Sequence, residues 1–336
     1  MTNKMGIWFI AIKTKTGTDV FTERLVKELN KRSIKASVTW LPQHAEYAPW
    51  IVSIPKAPAW ATVVHINTWL HQRFIPPNLP VLATLHHAVH HQDTKNYKNW
   101  MQKAYHRYWI KYLERRALQR ANKVVSVSKF VSESAKTELL DLPMEVIYNG
   151  VDTNKFIPAM KEPKKNEPFR LLFIGTWSRR KGVDLLPKIM DKLGCEFELL
   201  YTGKRKLHKE DHRTTPNMIN IGRLEGEHKV IEAMQKCDAL LFPSRSEGFG
   251  LVAIEAMSCG LPVIASDGTP LTEIVIDEVN GEICKKNNVD SFVKAAIKIR
   301  SLKLDKQEVR TTVEDRFSMN NFISSYIEKY KELSNK

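Results

Sequence analysis

Short apolar runs alternate with stretches of helical spacing along most of the chain, and the alternation happens twice, broken by one aperiodic segment. Strands are predicted over 6–12, 36–41, 62–66, 81–85, 123–127 and 145–148. After the first comes a tight loop, TKTGTD, then a helix over 20–31 marked by Phe21, Leu25, Val26 and Leu29. FIPAMKEPKKNEPFR, from residue 156, has no periodicity and reads as a linker. The pattern then restarts, with strands over 170–174, 196–202, 218–221, 239–242 and 262–265 and helices over 183–192, 227–236 and 251–259. Such alternation is the signature of α/β folds with parallel sheets. The expected class is therefore α/β: two Rossmann-like, doubly wound domains facing across a cleft, with ligands at the carboxyl ends of the strands. We place the domains at 1–160 and 161–316, with a helix over 317–336 expected to pack back on the first.

At 336 residues the chain can bury two cores. No apolar run approaches the ~20 residues that span a bilayer. The N-terminus has no apolar stretch followed by a cleavage site, so a cytoplasmic location is expected. Four cysteines without a Cys-x-x-Cys pair argue against a disulfide framework and a zinc knuckle. Fifty-two Lys and Arg against 37 Asp and Glu, a net +15, call for an anionic partner: nucleic acid, an acidic membrane or a phosphorylated ligand. Charge alone does not choose among them.

The run SRSEGFGLVAIEAMSCGLPVIAS, residues 244–266, places Glu247 and Glu255 in otherwise apolar surroundings, where an unpartnered buried charge costs several kcal/mol or more. With a helix starting near Phe249, Glu247 falls in the loop after a strand and Glu255 about two turns along the helix. Gly248 and Gly250 let backbone approach a ligand closely and offer N–H groups at a positive helix end. On pattern alone the acids either cap and solvate a helix or hold a ligand.

The same run, with its preceding Pro243, resembles the Glu-x7-Glu signature of the retaining glycosyltransferases of family GT4, which have the GT-B fold. The resemblance covers most of the chain in the family's order. TGTDVFTERL follows the first strand, then TLHH at 84–87, VVSVSKF, VIYNGVD, FIGTWSRRKGVDLL and INIGRLEGEHKVIEAMQKCDALLFPS.

What the resemblance implies is specific. The C-terminal domain would bind a UDP- or GDP-sugar and the N-terminal domain the acceptor. Glu255 would accept hydrogen bonds from both ribose hydroxyls, a task suited to a carboxylate. Arg180 and Lys181 would grip the diphosphate and stabilise the departing nucleotide. Glu247, beside the N–H groups of Phe249 and Gly250, would contact the donor sugar. The backbone at Leu224 would meet the base, His86 would lie near sugar and phosphate, and Gly17 would face donor phosphates and acceptor. Transfer would retain anomeric configuration, with the leaving phosphate as base, no protein nucleophile, no cofactor and no metal. The chain indeed contains no Asp-x-Asp. It departs from the family at Thr176, where Arg is usual, at Thr16 for a glycine, at His87 for Asp, and at GTP 268–270 for a Gly-Gly pair.

HHAVHH (His86, His87, His90, His91) raises a metal reading, because on a helix His86 and His90 would share a face. It lacks the HExxH glutamate and any paired cysteine.

Residues 95–123 hold nine Lys and Arg against one acid. Met101, Tyr105, Tyr108, Trp109, Tyr112, Leu113 and Ala117 form one stripe at helical spacing. Such a helix suits an anionic membrane surface; alternatively the stripe packs inward beneath a solvated basic back. No nucleic-acid-binding module is recognisable, and the Gly-x-Gly-x-x-Gly of a Rossmann oxidoreductase is missing. Two functions stay open. One is a membrane-peripheral enzyme moving a hexose to a lipid-linked or lipopolysaccharide-type acceptor at the cytoplasmic face. The other is a soluble enzyme acting on a small molecule or protein.

Overall fold

The structure, a computed structural model, describes residues 5–14, 16–95, 97–159, 167–203 and 215–335. It divides into two compact units, one of residues 1–149 with 320–336, the other of residues 150–319.

The first unit holds a six-stranded parallel sheet of β1 (Gly6–Ile12), β2 (Lys35–Leu41), β3 (Val63–Asn67), β4 (Val81–Leu85), β5 (Lys123–Ser126) and β6 (Glu145–Val146), in the order β2-β1-β3-β4-β5-β6. Every residue of β1 and β4 is buried, as expected of strands covered on both faces. The helix Gly17–Lys31 lays Phe21, Leu25 and Leu29 inward. It starts ahead of the expected residue 20, with Thr16 as N-cap, which shortens the loop expected over TKTGTD. The C-terminal helix Met319–Ser334 buries Phe322, Ile323, Tyr326, Tyr330 and Leu333. Tyr330 Oη lies 2.6 Å from His65 Nδ1 and Tyr326 Oη 3.1 Å from Thr84 Oγ1.

The second sheet comprises β7 (Phe169–Phe173), β8 (Phe197–Tyr201), β9 (Met218–Asn220), β10 (Ala239–Phe242), β11 (Val263–Ser266) and β12 (Gly281–Cys284). Its order is β12-β11-β10-β7-β8-β9, all parallel. Strand order reverses between β7 and β10, so the loops leaving those two strands flank a topological switch point, where open α/β sheets bind ligands. β12 escaped the sequence reading: GEIC is short and carries a glutamate.

Two expectations need correction. The stretch read as a linker begins with Phe156, which is buried in the second unit; its carbonyl accepts from Ser258 Oγ at 2.7 Å and Arg310 Nη1 at 2.6 Å. The division thus falls at 149/150 rather than 160/161, because apolar anchoring outweighs a linker-like composition; residues 160–166 lie outside the described residues.

The stripe over 95–123 is not a single face. A π-helical segment, Tyr105–Ile110, separates Trp100–Ala104 from Lys111–Arg120, and its wider turn rotates the register. Leu113 and Ala117 are buried and Tyr105 and Trp109 partly so, whereas Met101 and Tyr108 face solvent.

Candidate functional site

β7 ends at Phe173, and the chain runs through GTWS into a tight turn, Arg179–Lys181, closed by Gly182 in the left-handed region at φ 74°. A Cβ on Gly182 would overlap the carbonyl oxygen of Pro243, the residue after β10. Only glycine allows the two loops to approach so closely.

Arg245 ties them further. Its backbone N–H donates to the Arg180 carbonyl at 2.9 Å, and its guanidinium makes a two-pronged contact with Asp184, at 2.5 and 2.8 Å. It also donates to Asn287 Oδ1 at 2.5 Å and to the Arg179 carbonyl. Burial acts to raise the Asp184 carboxyl, but the hydrogen bonds and charge of Arg245 outweigh it and hold the group below its usual range.

The loop from Ser244 to Gly250 is buried throughout. Within it, Glu247 Oε1 accepts from Lys181 Nζ at 2.5 Å, while Arg180 Nη1 donates to the Ser246 carbonyl at 2.7 Å. Burial alone would push the Glu247 carboxyl up. The Lys181 and Arg180 charges, with hydrogen bonds from Lys181 and Ser244, reverse this and keep it below the normal carboxylate range, so it is ionised at neutral pH.

Gly250, at φ 109°, caps the helix Leu251–Ser258; a Cβ there would strike the Leu271 side chain. Glu255 is buried on this helix just over one turn from its start, not two, because the helix begins at Leu251 rather than near Phe249. Phe249 is buried edge-on against Phe317, with ring centroids 5.6 Å apart. Leu224 is partly exposed between β9 and the helix Glu227–Gln235, bracketed by Gly222 and Gly226, both at positive φ. Thr176 is exposed. The structure therefore gathers Arg180, Lys181, Glu247 and Gly250 on the two loops of one switch point, with Glu255 on the helix that follows the second loop.

In the first unit, His86 follows β4 with Nε2 2.8 Å from Asn67 Oδ1 at the end of β3, and the Phe21 ring meets it edge-on at 4.5 Å. Burial, with the neighbouring His87, lowers its pKa to about 3, so the ring is neutral. Residues 86–91 are not helical, and His86 and His90 turn to different partners. His90 Nε2 lies 2.7 Å from the buried Glu114, which also accepts from Trp69 Nε1 at 2.9 Å. The shared helical face of the metal reading is thus absent. Gly17 is exposed at the first turn of its helix, and a Cβ there would meet nothing within 4 Å.

The sequence reading missed Arg245, Asp184 and Asn67. A cation inside a buried run was a signal for the first; nothing marked the others.

Two parallel Rossmann-like sheets, with a basic turn and a buried acid paired at a switch point, fit a glycosyltransferase of the GT-B class. The chain belongs to glycosyltransferase family 4: the family model described as Glycosyltransferase Family 4 matches residues 19–155, and that described as Glycosyl transferases group 1 matches residues 157–314. It is 32% identical over 268 residues to an uncharacterized glycosyltransferase of Methanocaldococcus jannaschii, covering 76% of this chain and 70% of that protein. It is 24% identical over 242 residues to the GDP-mannose:cellobiosyl-diphosphopolyprenol alpha-mannosyltransferase of Xanthomonas campestris, over 66% and 61% of the two chains. Among solved structures, Anabaena HepE in complex with UDP and glucose matches 98% of this chain and 100% of its own, with a TM-score of 0.76 at 16% identity.

Proposed function

We propose that this glycosyltransferase moves a hexose from a UDP- or GDP-sugar to a hydroxyl of a lipid-linked or cell-envelope glycan at the cytoplasmic membrane face, with retention of configuration and without metal or other cofactor. The observation that carries the donor reading is the Lys181–Glu247 pair beside Arg180, two cations and an ionised carboxylate on the loops of one switch point.

The chemistry follows from these groups. Arg180 and Lys181 place positive charge where a diphosphate leaves and so stabilise the developing anion. Glu247 accepts hydrogen bonds from sugar hydroxyls, Glu255 from the ribose, the N–H groups at Phe249 and Gly250 assist at the helix end, and Leu224 meets the base. His86, neutral, offers a ring nitrogen to a hydroxyl rather than a charge to a phosphate. Gly17 leaves room beside its helix end for acceptor or phosphate. The acceptor hydroxyl passes its proton to the leaving phosphate oxygen as the new glycosidic bond forms on the face the nucleotide vacates.

The membrane-face acceptor is supported by the exposed cations Lys103 and Arg107 beside exposed Trp100 and Tyr108, and by the polyprenol-linked substrate in the name of the Xanthomonas relative. No helix among the described residues is long and apolar enough to cross a membrane.

A panel of nucleotide sugars, incubated with and without EDTA and with polyprenyl-diphosphate glycans as acceptors, tests the reading. Transfer from a UDP- or GDP-sugar, insensitive to chelator and giving an axial or equatorial product that matches the donor by NMR, is expected. Loss of transfer with EDTA, or inversion, would overturn the mechanism. Transfer confined to small water-soluble acceptors would overturn the membrane assignment.

A further inference from the structure

We propose that the segment from Tyr47 to Ile54 is a second membrane-contacting element whose apolar side chains enter the headgroup region of an anionic phospholipid bilayer. This rests on the membrane-face reading above and adds an insertion site outside residues 95–123.

Tyr47, Trp50, Ile51 and Ile54 are 57%, 65%, 67% and 56% exposed, four large apolar side chains within eight residues. Single exposed apolar residues are ordinary on a protein surface, whereas such a cluster marks an interaction site. Their exposure is imposed by the backbone. Ala45, Pro49 and Val52 are buried and turn the intervening residues outward. Ala48 N donates to the His44 carbonyl at 2.8 Å, Val52 N to the Pro49 carbonyl at 3.3 Å, and Arg73 Nη1 to the Pro49 carbonyl at 2.8 Å.

Glu46 joins this segment to the basic helical region. Its carboxylate accepts from Tyr105 Oη at 2.8 Å and its carbonyl from Trp109 Nε1 at 2.7 Å. From that joint the helical region presents Trp100, Met101 and Tyr108 to solvent, with Lys103 and Arg107 among them. The Arg107 guanidinium sits 5.8 Å from the Tyr108 ring centroid.

The two segments themselves carry little negative charge. Residues 47–60 contain no Asp or Glu, Glu46 is bonded to Tyr105, and Glu114, the one acid in 95–123, is buried against His90 and Trp69. Exposed aromatic and aliphatic groups in segments that also expose Lys56, Lys103 and Arg107 match an anionic lipid interface, where aromatic rings sit at headgroup level and cations near phosphates. A second copy of the chain would set cations against cations.

Cosedimentation of the full chain with vesicles containing phosphatidylglycerol, against vesicles of phosphatidylcholine alone, tests this. Trp50→Glu with Ile51→Glu is compared with Lys103→Glu, Arg107→Glu and Lys111→Glu, and melting temperatures confirm that both variants fold. Wild type is expected on the anionic vesicles, with a fraction persisting at 0.5 M salt, where the Debye length has fallen to about 4 Å. The Trp50/Ile51 variant should lose that fraction and partition about tenfold or more weakly, since charge replaces the inserted apolar groups. Wild-type-like binding by that variant would overturn the proposal while leaving the basic helical region as the membrane contact. Wild type bound to neither vesicle would overturn both this proposal and the membrane-face reading. Sedimentation velocity showing a dimer that the Trp50/Ile51 variant dissolves would overturn it in favour of a second copy covering the patch.

Discussion

Lys181 Nζ lies 2.5 Å from Glu247 Oε1, joining the loop that leaves β7 to the loop that leaves β10 across the point where strand order reverses. Both side chains are largely shielded from water, so neither charge is readily replaced by solvent. A double-mutant cycle with Lys181→Met and Glu247→Gln should give a coupling of roughly 1.5 to 3 kcal/mol in chemical denaturation, the range for hydrogen bonds to charged groups. Additive single variants would show the pair to be incidental.

The same pair makes stability depend on pH. The folded Glu247 pKa lies below its unfolded value, so the unfolded state binds more protons in between. The contribution is fully present above the ordinary carboxylate range, around pH 4 to 5, and is lost as pH falls through the folded value. Glu247→Gln should therefore lose less stability than wild type on acidification below pH 5, read as a smaller fall in melting temperature.

Gly182 and Gly17 should respond in opposite ways. Gly182→Ala forces a side chain into the left-handed region and onto the Pro243 carbonyl. The conformation alone costs about 1 to 2 kcal/mol, and the displaced turn should weaken UDP or GDP binding in calorimetry. Gly17→Ala meets open space at a helix start and should raise stability by roughly 0.4 to 1 kcal/mol. If Gly17 also faces the reactants, the same variant should lower turnover, so measuring both separates its two roles.

Under the proposed roles, Glu255→Ala should weaken binding of free UDP or GDP by about 1.5 to 3 kcal/mol, while Glu247→Ala should lower turnover with little change in nucleotide affinity. Equal losses of nucleotide affinity in the two variants would reverse or merge these roles.

The low pKa of His86, about 3, places its titration far below that of an unfolded histidine. Between the two values the unfolded chain binds the extra proton, so the neutral folded ring costs stability as pH falls below about 6.5. NMR of the ring should show no titration above pH 4. Asn67→Asp, which sets a carboxylate 2.8 Å from Nε2 in place of the amide oxygen, should raise the pKa. A ring that titrates near 6.5 in wild type would show the site to be wet.

The period of the apolar residues was enough to specify parallel α/β layering, because strands covered on both faces need unbroken runs such as GIWFIAI and ALLF. Likewise Glu247 and Glu255 stood out as carboxylates in an otherwise apolar run, whereas Arg180 and Lys181 were picked out only by the family resemblance. Contacts between residues distant in sequence required the tertiary structure. Arg245 meets Asp184 and Asn287 only because β7 and β10 are neighbours in the sheet. Phe156 leaves a linker-like stretch for the second core because Arg310 and Ser258 hold its carbonyl there. The aromatic stripe over 95–123 splits because a π-helical turn, favoured by inward bonds from Tyr105 and Trp109 to Glu46, rotates the register that a uniform helical period would have kept.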